Sequence, residues 1–112
     1  MEETNKIRKR SEIPVEDTWA TEDLFVSDAA WEQELATLEE NKNKLVSFAG
    51  RLAESGATLY EFLHTAELTN VKASALAHYC MRKGDEDTRN PVYQAMVGKM
   101  MSTYVELGAA TA

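Results

Sequence analysis

The sequence predicts an all-α chain: an antiparallel helical bundle of three to four helices, preceded by an extended N-terminal arm. Three observations carry this. Apolar residues recur at spacings of three and four in long runs, the signature of one buried helical face. Each run opens on a capping residue type, at Ser27-Asp28, Thr58 and Asn90-Pro91. No stretch alternates with period two long enough to make a strand. Two regions follow: an arm over 1–26, and a helical domain over 27–112.

The arm has no helical stripe. Pro14 restricts Ile13 to extended geometry. Trp19, Leu24 and Phe25 are its large apolar groups, and they are expected to pin it to the body.

The first helix is expected to start at Ser27-Asp28. Its stripe is Trp31, Leu35, Leu38, Leu45, Phe48 and Leu52, with Lys42 at the skipped turn. Glutamates come first and lysines later, which suits the helix dipole. Gly50 and Gly56 are candidate stops, and Gly56 is preferred.

Thr58 and Glu61 match a capping box. The following stripe runs through Leu59, Phe62, Leu63, Ala66, Ala73, Leu76, Ala77 and Cys80. Thr69-Asn70-Val71 is poor helix material and predicts a break or kink. Arg82-Lys83-Gly84, a basic turn before glycine, predicts the end.

Asn90-Pro91 opens the last helix with cap and N1 proline in their preferred order. From Pro91 to Ala112 the charged residues are Lys99 and Glu106 alone. A helix apolar on most sides expects neighbours on most sides. No stop signal closes it, so the chain reads as ending inside a helix. Alone, it is expected to self-associate through 91–112.

The chain has 112 residues and a net charge of −7. That length is one domain at most, and that charge repels nucleic-acid backbones. The basic cluster Lys6-Ile7-Arg8-Lys9-Arg10 is read as a solvated arm rather than an import or anion-binding patch. Cys80 is the single cysteine, which suits a reducing compartment. No apolar run approaches the ~20 residues of a membrane span, and no secretory leader pattern opens the chain. A cytoplasmic protein with no membrane partner fits.

No catalytic constellation can be assembled. His64 and His78 are fourteen positions apart, and His-Glu-x-x-His is absent. Glu61-Phe62-Leu63-His64 has the Glu-x-x-His form of di-iron bundles, but Ala75 stands where a second motif ending at His78 needs its acid. Cys80 lies on the apolar stripe and is read as core rather than nucleophile. Met96, Met100 and Met101 are read as core or interface filler rather than a peptide-binding surface. Asp85-Glu86-Asp87 lacks the pattern of a calcium loop and is read as a solvated linker. No residue is nominated as catalytic, metal-binding or substrate-binding.

One string is specific. Arg10-Ser11-Glu12-Ile13-Pro14, then Trp19, Asp23-Leu24-Phe25, Ser27-Asp28 and Trp31-Glu32, resembles the start of the oligoendopeptidase F family. Phe48-Ala49-Gly50-Arg51-Leu52, Tyr79, Asp85-Glu86-Asp87-Thr88 and Tyr93-Gln94 follow in that family's order and spacing. Ala20-Thr21 departs from it, where the family often has an acid or Asn and a leucine. The resemblance implies an all-helical, cytoplasmic, zinc-dependent oligopeptidase that cleaves short peptides in an enclosed channel. Its His-Glu-x-x-His helix supplies two zinc ligands and the general base, and a further Glu is the third ligand. None of these falls on a residue of this chain. Zinc therefore belongs to the parent enzyme, and this chain is expected to bind none and to be inactive alone. Its implied part is to wall the channel, with the remaining catalytic domain and short peptides as partners. The alternative is a free-standing helical interaction module that docks through its last helix.

Overall fold

The computed structural model describes residues 7–112, with three helices and no strand among them. Met1 to Lys6, including the first residue of the basic cluster, lie outside the described residues. The helices are α1 (Asp28–Val46), α2 (Gly56–Glu86) and α3 (Pro91–Thr111). They run up, down and up. The start of α1 meets the late part of α2, where the Trp31 indole donates to the Leu76 carbonyl at 2.8 Å. The end of α1 meets the start of α2, where the Phe48 and Phe62 rings lie 5.7 Å apart. α1 and α3 are parallel: Lys99 pairs with Glu32 at 3.0 Å, and Lys42 with Glu106 at 2.8 Å.

Two of the three helix starts lie where capping residues were expected. Ser27 accepts from Ala30 N–H, and Asn90 accepts from Val92 N–H with Pro91 at N1. The cap of α2 lies three residues upstream of Thr58. Ser55 Oγ accepts from Thr58 N–H, so Thr58 is the third helical residue and Gly56 the first. Gly56 therefore opens α2 instead of ending α1. α1 ends at Val46, and the chain winds on through tight i to i+3 turns: Phe48 N–H to Leu45 O at 3.2 Å, Ala49 N–H to Val46 O at 3.0 Å. Gly50, at φ +74°, then reverses it. These turns keep the helical phase long enough to bury Phe48 but leave Leu52 exposed.

α2 is continuous for 31 residues, about 46 Å at 1.5 Å per residue. No break occurs at Thr69-Asn70-Val71. Thr69 is fully buried, and its hydroxyl returns to the Thr65 carbonyl at 2.7 Å, so a polar β-branched residue sits in the core without an orphan group. The expected stop at Gly84 is also overrun, because α2 continues to Glu86. Gly84 is buried inside the helix, where an added Cβ would lie 3.7 Å from Val97 Cγ2. It is a point of close approach to α3, not a cap.

The core is Trp31 and Leu38 from α1, Ala73, Leu76, Tyr79 and Cys80 from α2, and Met96, Met100 and Leu107 from α3. Leu59 and Leu63, read as stripe residues, lie at its edge and are exposed. The arm, expected to be extended, is strung from three single-turn 3-10 helices at Arg10–Glu12, Val15–Asp17 and Thr21–Asp23. Local side chains close the first two: Lys9 N–H donates to Glu12, and the Thr18 hydroxyl donates to the Val15 carbonyl. Of the three expected anchors, Phe25 packs edge-on against Tyr79 at 5.5 Å. Trp19 and Leu24 stay about half exposed, and the buried residue of the arm is Thr21.

Candidate functional site

The residues that catalysis would need are scattered. His64 and His78 are both exposed on α2, and fourteen residues of helix separate them by about 21 Å. His64 stacks on Tyr60 with centroids 5.7 Å apart. No group of three or more His, Cys, Asp or Glu converges among the described residues. No donor set among the described residues fits a zinc ion. Glu61 is exposed. Cys80 is fully buried, and its desolvated thiol is pushed up to about 11, far from a thiolate at neutral pH. Met96 and Met100 are core, while Met101 faces outward. Asp85-Glu86-Asp87 is not a free linker. Asp85 pairs with Arg82 at 3.2 Å, Glu86 with Arg10 at 3.0 Å, and Asp87 Oδ1 accepts from the Arg89 N–H.

The Arg10–Glu86 pair belongs to a polar cluster, where the arm crosses the end of α2 and the starts of α1 and α3. Arg10 comes from the arm, Asp28 from the first turn of α1, Tyr79, Lys83 and Glu86 from α2, and Tyr93 from α3. The Tyr79 hydroxyl donates to Asp28 Oδ1 at 2.7 Å. Burial raises the Tyr79 hydroxyl pKa well above the usual phenol range, and the Asp28 carboxylate raises it further. Burial is also the largest cause of the upward shift at Tyr93, followed by the Asp28 charge. The Lys83 ammonium lies 5.7 Å from the Tyr79 ring centre and 5.8 Å from that of Tyr93. Arg82 lies 5.6 Å from the Trp19 ring. Beside these contacts is a cavity of about 290 Å³, walled by Arg10, Ile13, Asp17, Trp19 and Glu86.

Both phenols are shifted toward the protonated form, and Tyr79 already donates its hydrogen bond to Asp28, so neither is poised as a base at neutral pH. The cluster instead clasps: it fixes the arm and three helix ends in one arrangement. Arg10 is therefore engaged, in contrast to the solvated arm expected for the whole basic cluster, whereas Arg8 and Lys9 are exposed. Asp28 is not legible in the sequence as the partner of Tyr79, because a cap-adjacent acid already has a sufficient local explanation. The signal present was Tyr79 itself, a hydroxyl in phase with an otherwise apolar stripe.

At the other end of the bundle a shallow apolar groove of about 300 Å³ opens between the helices, lined by Leu45, Phe62, Ala66, Tyr104 and Leu107. It holds no converging charge.

No family model matches the chain, and no solved structure matches it. Curated proteins do. Oligopeptidase PepF of Bacillus subtilis (strain 168) is 36% identical over 108 residues, which is 96% of this chain and 16% of that protein. The chromosomal oligoendopeptidase F of Lactococcus lactis subsp. cremoris is 30% identical over 107 residues, 95% of this chain and 18% of that protein. The plasmid oligoendopeptidase F of the same organism is 28% identical over 102 residues. The chain thus spans about one sixth of the length of the relatives it matches. With these similarities running along 90–96% of its residues, the chain belongs to the oligoendopeptidase F family.

Proposed function

We propose that this chain is the N-terminal helical segment of a cytoplasmic, zinc-dependent oligoendopeptidase that hydrolyses short peptides, and that it walls the substrate channel without contributing to the chemistry. The 36% identity over 96% of the chain carries this reading. It is supported by the clasp, which joins the arm to three helix ends, and by a last helix whose outer face is uncharged and suits burial against further protein. The remaining catalytic domain holds the zinc and the His-Glu-x-x-His helix, short peptides are its substrates, and the net charge of −7 does not suit nucleic acid.

The test is a chimera. Residues 1–112 replace the matching segment of the Bacillus subtilis oligopeptidase, and hydrolysis of short and long fluorogenic peptides is followed. The chimera should cleave short peptides and spare long ones. The isolated chain should cleave neither and hold no stoichiometric zinc. One tightly held zinc per isolated chain, or a chimera that cleaves nothing, would overturn the reading. A stop codon directly after Ala112 in the gene would favour the free-standing interaction module.

A further inference from the structure

The two charges of α3 are both spent on α1. Lys99 pairs with Glu32 and Glu106 with Lys42. The side of α3 turned away from the bundle is left uncharged, along Ala95, Gly98, Met101, Ser102, Val105 and Ala109. Met101 and Val105 are 58% and 74% exposed there. Gly98 adds a second observation. Glycine inside a helix costs about 1 kcal/mol relative to alanine, and Gly84 has a reason for it in the nearby Val97. An added Cβ on Gly98 would meet nothing within 4 Å, so no contact among the described residues accounts for the glycine. Ala95, Gly98, Ser102 and Ala109 recur at helical spacing along one line of this face, with Val105 on the same line and Met101 beside it. Small side chains let two helix axes approach, and a track along the axis accepts another helix.

We propose that this outer face of α3 seats a helix from the remainder of the peptidase chain, with its closest approach over Gly98. The inference rests on the family reading above. The occupant follows from length: the chain spans 16–18% of its relatives, so a full-length protein carries about five times as much chain again. A segment of the same polypeptide has a high effective concentration at this face. A second copy brings another net charge of −7 and is the poorer partner.

The experiment compares Gly98→Leu and Val105→Arg in two contexts, with Val71→Arg on the outer side of α2 as the control. In the isolated chain all three should leave the thermal midpoint unchanged or, for Gly98→Leu, slightly raised. In the active chimera the two α3 variants should shorten the heat-inactivation half-life by on the order of tenfold, because an overpacked or charged interface loses its fit. Val71→Arg should not. Half-lives unchanged by both α3 variants would overturn the proposal while leaving the family reading intact. Loss of self-association in the isolated chain, with the chimera unaffected, would assign the face to a second copy and also overturn it. A wild-type chimera without activity would remove the family reading and this proposal with it.

Discussion

Replacing Trp31 by Phe keeps a ring in the core but removes one hydrogen bond and one fused ring. Trp31 is fully buried, and its indole N–H donates to Leu76 O, in the later part of α2. That carbonyl also accepts from Cys80 N–H in the helical ladder, so the substitution leaves no orphan acceptor. The cost is then the net value of a hydrogen bond, about 1 kcal/mol, plus a partly collapsed cavity, about 1–2 kcal/mol. The sum of about 2–3 kcal/mol corresponds to a fall in Tm of roughly 10–20 °C for a chain of this size. Far-UV circular dichroism during heating or urea titration measures it. Trp19→Phe is the control, since Trp19 is half exposed on the arm and should cost about 0.5 kcal/mol or less. If Trp31→Phe costs no more than Trp19→Phe, the claim that this indole locks α1 to α2 is refuted.

Gly50→Ala and Gly98→Ala should move stability in opposite directions when unfolded with urea. Gly50 holds φ +74°, so the change costs about 1 kcal/mol, whereas Gly98 is helical and open, so alanine gains somewhat less than 1 kcal/mol in the isolated chain. Tyr79→Phe should destabilise by about 1–2 kcal/mol, because it removes the donor to Asp28, a charged acceptor in a partly buried site. Raised pKa values at Tyr79 and Cys80 mean that the folded state keeps protons the unfolded chain gives up. Stability is therefore fully present at neutral pH and falls as pH rises through the range from about 9 to 11 for Cys80 and from about 10 upward for Tyr79. Cys80→Ala should flatten the first part of that alkaline decline in pH-dependent melts. In native buffer the Cys80 thiol should react with a disulfide reagent only at the rate of unfolding, and rapid labelling would contradict its burial.

What the sequence made legible was what local chemistry decides. Ser27 and Asn90-Pro91 are caps with no competing explanation, and both open helices. Cys80, Leu76 and Ala73 share a phase that only the core satisfies. The errors fell where a local signal met a tertiary one. Thr69 reads as a helix breaker, yet a buried hydroxyl can return to the carbonyl four residues back, and packing then decides in favour of the helix. Gly84 reads as a terminus, but a buried glycine also lets two helices approach, and nothing local distinguishes these roles. Gly50 and Gly56 compete for one turn, and which of them reverses the chain depends on where Phe48 finds the bundle. The clasp was least legible of all. Arg10 with Glu86 and Asp28 with Tyr79 are pairs of charge or hydroxyl from distant positions, and each partner alone has an adequate surface or capping role.

The Arg10–Glu86 contact joins residues separated by 76 positions. During synthesis at about 5–20 residues per second, the arm emerges roughly 4–15 s before its partner has been made. It carries Ile13, Trp19, Leu24 and Phe25 through that interval without a surface to lie on. The arm is made before the end of α2 that it pairs with, so that contact forms only once Glu86 has been made. Its first two short turns, closed by Glu12 and Thr18, give the waiting segment local order that needs nothing downstream.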